Sequence, residues 1–150
     1  MTKHPDDVLK QFKQSRLDLL AAVKNFPTAK ESRIFYGDWT IREVVGHISA
    51  WDIYFSDLLS NFSSGKQVEH WGNIFEFNKN AVTLCKNKTL KKLTDELEKS
   101  GKQFNLTYQN LPTKALEQKI FLKKKYTPKD ILKIELDHYL SQIKQIEKRY

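Results

Sequence analysis

Residues 37–52 read GDWTIREVVGHISAWD, and this stretch sets both the start of a helix and its inner face. Thr40 followed three residues later by Glu43 is a capping box, in which each side chain satisfies a backbone N–H that the helix leaves open. Apolar residues then recur as Ile41, Val44, Val45, Ile48, Trp51, Phe55, Leu58 and Leu59, the three-and-four spacing of one buried helical face. The turn residues Ser63-Ser64-Gly65 end the run. His47 stands three residues after Val44 and four before Trp51, so the same spacing turns an imidazole inward. Such a histidine is either satisfied by a core neighbour or used as a ligand or base, depending on what the rest of the chain brings to it.

The helical period continues on both sides of this segment. A first helix is predicted from near Pro5, with Asp6 and Asp7 placed well against the helix dipole. Its stripe is Leu9, Phe12, Leu19, Leu20 and Val23, and Phe26-Pro27 closes it. A third section falls into two pieces. Trp71, Ile74, Phe75, Asn78, Val82 and Cys85 mark one face, broken at Lys86-Asn87-Lys88. Thr89 then caps a longer helix carrying Leu90, Leu93, Leu97, Gly101, Phe104, Tyr108 and Leu111, stopped by Pro112. Gly101 costs about 1 kcal/mol relative to alanine and allows close helix approach. Lys119-Ile120-Phe121-Leu122 is an extended piece too brief for a sheet. The last helix opens at Thr127-Pro128-Lys129-Asp130 and runs to the C-terminus, where Lys148 and Arg149 suit the dipole. The expectation is an all-α, antiparallel four-helix bundle with a broken, linking helix before the third long one, in a single domain over 1–150.

Composition narrows the function classes. With 39% hydrophobic residues the chain can build a core unaided. No segment approaches the roughly 18 apolar residues of a membrane span, and the N-terminus lacks a signal peptide's apolar region. Cys85 is the only cysteine, which excludes an intrachain disulfide; on its apolar face it reads as buried and inert. A cytoplasmic location follows as an expectation. The net charge of +8 comes from lysine rather than arginine and is spread over every segment. It reads as a solvated surface, not a nucleic-acid site.

A second histidine shares the inward direction. His138 follows Ile131 by seven and Ile134 by four, and Gln142 lies one turn further on. Facing helices that each present an inward nitrogen are how bundles build metal sites, and Glu135, three residues before His138, is positioned to supply an oxygen. The competing reading is two core histidines hydrogen-bonded to neighbours. Trp51, Phe55, Trp71, Phe75 and Tyr139 either line an apolar pocket near the histidines or fill the bundle core. Asp52 and Asp137 stand beside inward positions and are expected to face solvent or lysines. Ser49, Ser56 and Ser141 lie within helices and lack the strained turn of a nucleophilic serine.

WTIREVVGHISAWDIYF resembles the second helix of the DinB-like family of small bacterial bundles. DHYLSQIKQI looks like that family's closing helix, and FNKNAVTLCKNKTLKKLTDELEKSGKQFNLTYQNLP is similar to its linking and third helices. The resemblance implies a divalent metal, zinc or nickel, held by three histidines, one on the second helix and two, four apart, on the last. His47 and His138 match the first two positions; Gln142 stands at the third, where an amide is a poorer ligand than imidazole. Two functions follow. The first is a small-molecule-binding protein whose polar pocket between the second and last helices retains a degenerate His, His, Gln site. The alternative is a metal-dependent transferase or hydrolase using an activated water or thiol. The glutamine weighs towards the first. The implied partner is a small molecule rather than nucleic acid or membrane, and a homodimer through a bundle face is compatible with the family.

Overall fold

The helix starts come from local chemistry. In the computed structural model, which describes residues 3–148 and the side chains from residue 7, the five helices are α1 (Lys3–Lys24), α2 (Ile41–Ser63), α3 (Ile74–Thr83), α4 (Leu90–Gln109) and α5 (Pro128–Glu147). Glu43 accepts from the Thr40 backbone at 2.8 Å, opening α2. Asn73 and Thr89 cap α3 and α4 through Glu76 N and Lys92 N. Thr127 and Asp130 form the predicted capping box of α5, with Pro128 at its first position. α1 begins two residues before Pro5, its predicted start; the side chains of Pro5 and Asp6 lie outside those described, and Arg149 outside the described residues. Short 3-10 turns at Thr28–Lys30 and Thr113–Ala115 punctuate the connections, and the described residues contain no strand. The expected all-α bundle with a linking helix is the observed fold.

The long helices pack chiefly as α2 on α4 and α1 on α5, with α3 laid mainly against α2. Phe12 of α1 joins Phe104 of α4 and Tyr139 of α5 in edge-on contacts at 5.2 and 5.0 Å. Two glycines permit the closest approaches. A Cβ at Gly101 would lie 2.8 Å from the Tyr139 hydroxyl oxygen and 3.0 Å from Arg16 Nε, and one at Gly46 only 2.0 Å from Cys85 Sγ. Cys85 is buried, as expected. Among the described residues, no helix is long and apolar enough to cross a membrane.

Two expectations need correction. α3 is shorter than its apolar pattern: Trp71 precedes it, Cys85 follows it, and Ile74 and Phe75 are exposed, because a ten-residue helix packed mainly on one neighbour buries only a narrow stripe. Asp52 does not face solvent. It is fully buried, because α4 and α5 enclose α2 on both sides of its apolar stripe. Asp137 does pair at the surface, with Lys133 at 3.0 Å.

Candidate functional site

α2 and α5 bring the two predicted histidines together. His47 Nε2 and His138 Nε2 are 3.0 Å apart, with ring centroids at 4.9 Å. His47 Nδ1 lies 2.7 Å from the Val44 carbonyl oxygen, one turn back on its own helix. A carbonyl only accepts, so this nitrogen carries the proton and Nε2 is a bare lone pair. Trp39, from the loop before α2, packs against the His47 ring with centroids 4.8 Å apart. Burial, and secondarily the neighbouring His138, pushes His47 down to about 3, while burial brings His138 to about 4. Both rings are neutral at pH 7.

Gln142 closes the predicted set: its Oε1 accepts from the Tyr36 hydroxyl at 3.0 Å. Glu135 sits behind His138 rather than beside its free nitrogen, with Oε1 3.1 Å from Nδ1. It also lies close enough to the buried carboxyl of Asp52 for the two to interact electrostatically; Asp52 Oδ2 accepts from the Tyr139 hydroxyl at 2.6 Å and the Ser100 hydroxyl at 2.8 Å, while Asp52 Oδ1 and Glu135 Oε2 are buried without a hydrogen-bond partner. Burial, opposed by the interaction with Asp52, pushes Glu135 up to about 7. Burial and the adjacent Glu135 charge raise Asp52 well above the carboxylate range. Among the described residues, no three His, Cys, Asp or Glu side chains converge to hold an ion, so any metal here would rest on the two imidazoles and donors of other types.

The histidines open onto a cavity of about 890 Å³. Its lining comes from Tyr36 and Trp39 of the loop before α2, Glu43 and His47 of α2, Phe75, Asn78, Lys79 and Val82 of α3, Lys86 just after it, and His138 and Gln142 of α5. Of the expected aromatic lining only Phe75 is present. Trp51, Phe55, Trp71 and Tyr139 are not on the wall. Trp51 stacks on Phe77 at 3.8 Å and donates to Asn78, Phe55 and Tyr139 are buried in the core, and Trp71 packs edge-on against Trp51 and Phe55. Sequence reasoning missed Tyr36 and Trp39, which lie in a loop without periodicity, and Asp52. The signal for Asp52 was present: it falls four residues after Ile48 and four before the buried Ser56.

Two solved structures share this fold: the crystal structures of mycothiol-dependent maleylpyruvate isomerase and of a histidine-to-alanine mutant of that enzyme. Each superposes with a TM-score of 0.81 over 94% of this chain, at 10% and 9% identity respectively. The chain has the DinB-like helical fold. It spans 60% of the length of those structures. No family model and no curated protein matches the sequence.

Proposed function

We propose that this DinB-like chain is a metal-binding bundle in which His47 and His138 hold a divalent cation, zinc or nickel, with the Gln142 amide oxygen as third donor. The observation carrying this reading is the pair of Nε2 atoms facing each other at 3.0 Å while His47 Nδ1 is committed to a carbonyl. Two nitrogens of one tetrahedral zinc stand about 3.3 Å apart, given Zn–N bonds of about 2.05 Å, so the spacing fits with little movement. A neutral N–H···N hydrogen bond, with His138 Nε2–H donating to the His47 Nε2 lone pair, accounts for the same contact without a metal, and the titration below separates the two. Gln142 Oε1 keeps a second lone pair after accepting from Tyr36.

A bound metal would lower the pKa of a coordinated water or thiol and supply a nucleophile at neutral pH. The chain's own residues do the rest. Trp39 packs against the His47 ring, and the cavity admits a small molecule with Phe75 and the lysines Lys79 and Lys86 on its wall. The fold shared with an enzyme whose name states a thiol requirement is compatible with thiol-dependent chemistry, and a transferase or hydrolase is the reaction class the sequence resemblance implies. The metal-free alternative, a small-molecule pocket with a polar floor, is favoured by the absence of a third imidazole or carboxylate among the described residues.

Calorimetric titration with zinc and nickel separates the two. Wild type is expected to give saturable one-to-one binding that His47→Ala abolishes and Gln142→His tightens about tenfold or more, 1.4 kcal/mol per decade. No saturable heat in wild type removes the metal and leaves the pocket.

A further inference from the structure

One face of α3 holds the helix to the bundle and another is left to the cavity. Phe77 stacks on Trp51 at 3.8 Å, Asn78 accepts from the Trp51 indole at 2.8 Å, and Ala81 and Cys85 are buried, the latter against Gly46 of α2. Phe75, Lys79, Val82 and Lys86 recur at intervals of four, three and four, the spacing of a single helical face, and all of them line the cavity. The turn after α3 carries that face on to Lys86, whose backbone N–H donates to the Thr83 carbonyl at 3.4 Å. Phe75 is 85% exposed although it stands on a cavity wall, so most of its ring meets water. Among the described residues neither Lys79 nor Lys86 has a salt-bridge partner, whereas Lys88, Lys91 and Lys92, just beyond, pair with Glu96 and Asp95. The acids of the lining do not neutralise them. Glu43 Oε1 takes the Thr40 backbone N–H and hydroxyl, and its Oε2 takes Arg42. Asp38, on the loop before α2, is exposed and pairs with no lysine.

We propose that the cavity takes a small organic anion with an apolar body, its charged head held by Lys79 and Lys86 and its body laid on Phe75 and Val82. This names the ligand class of the site and rests on the cavity being a small-molecule site; it does not depend on a bound metal. The flexible stems of two lysines on one face let both ammonium groups close on a single charge beside Val82. An ammonium is a point charge without the planar fork of a guanidinium. The wall therefore reads the charge of the head rather than its shape, and carboxylates, sulfonates and phosphates carried on one body are all admitted. Asp38 repels an anion near its own loop, which leaves the head on the α3 side.

Two dyes that share an aromatic frame test this on metal-free protein by fluorescence titration: anilinonaphthalene sulfonate, which is an anion, and phenylnaphthylamine, which lacks the sulfonate. Wild type is expected to bind the sulfonate dye one-to-one and about tenfold or more tighter than the neutral dye, a preference that shrinks as salt is raised. Lys79→Gln/Lys86→Gln removes the preference and leaves the neutral dye's affinity unchanged, while Phe75→Ala weakens both dyes severalfold. Lys91→Gln/Lys102→Gln takes the same charge from α4 outside the lining and leaves both affinities as in wild type. Every substituted side chain is exposed, so the variants keep the fold, which circular dichroism verifies. Equal affinities for the two dyes in wild type, or a preference that survives loss of Lys79 and Lys86, overturns the proposal. So does an equal loss in Lys91→Gln/Lys102→Gln, or a Phe75→Ala variant that binds both dyes like wild type. Binding of neither dye overturns it together with the small-molecule site on which it rests. Zinc binding absent from calorimetry, with the dyes behaving as expected, overturns the metal reading alone.

Discussion

His47 and His138 are buried bases with proton affinities held low, to about 3 and 4, while Glu135 is a buried acid held high, to about 7. These perturbations act on stability in opposite directions. Below pH 6.5 the unfolded chain takes up protons that the folded imidazoles refuse, so the histidines withdraw stability as pH falls from about 6.5 towards 4. Glu135 contributes stability that is complete below its unfolded value of 4.5 and lost as pH rises to about 7. Wild type therefore has a flattened pH profile between 4.5 and 6.5. Glu135→Gln removes the carboxyl's share, and its melting temperature should fall more steeply than wild type on acidification through that window. Thermal melts followed by circular dichroism at a series of pH values check this; parallel profiles would contradict it. At this scale the three cavity-facing positions were legible, because helical spacing reports direction. The Asp52–Glu135 pair was not, because burial of a residue at the margin of an apolar stripe depends on whether helices close over that margin.

Among the elements, α2 shows how far local chemistry reaches. Its Thr40–Glu43 cap, its stripe and its stop at Ser63–Gly65 were all readable, since each depends on residues within a few positions. Gly46 was not singled out, because its role depends on Cys85 thirty-nine residues later. Their contact seats the segment after α3 against α2, where Arg42 also donates to the Cys85 and Lys88 carbonyls at 2.6 and 2.8 Å. Gly46→Ala should lose about 1–3 kcal/mol by overpacking, even though alanine is the better helix former, and adding Cys85→Ala should restore most of it. Denaturant unfolding of the single and double variants measures both steps. An unrescued double variant would place the strain elsewhere.

Across the whole molecule, Gly101 joins three helices. The space a methyl group would need is occupied by the Tyr139 hydroxyl from α5 and the Arg16 side chain from α1, and that hydroxyl is tied to Asp52 on α2. Gly101→Ala gains about 1 kcal/mol of helix propensity but must displace a hydroxyl held at 2.6 Å from a buried carboxyl. A net loss of about 1–2 kcal/mol is expected. Chemical denaturation of the variant measures it; a more stable variant would show that the Tyr139–Asp52 contact yields readily.

Helix number, caps, inner faces and the inward direction of His47, His138 and Gln142 were determined by the sequence itself, because periodicity and capping are set by residues within one or two turns. The expected use of Gly101 for close approach also held. Only the tertiary structure decided the rest. It set the two imidazole nitrogens 3.0 Å apart, moved Glu135 behind one of them, buried Asp52, and built the cavity from a loop and α3 instead of the core aromatics. Each of these depends on the distance and rotation between helices far apart in the chain, which packing settles and local spacing leaves open.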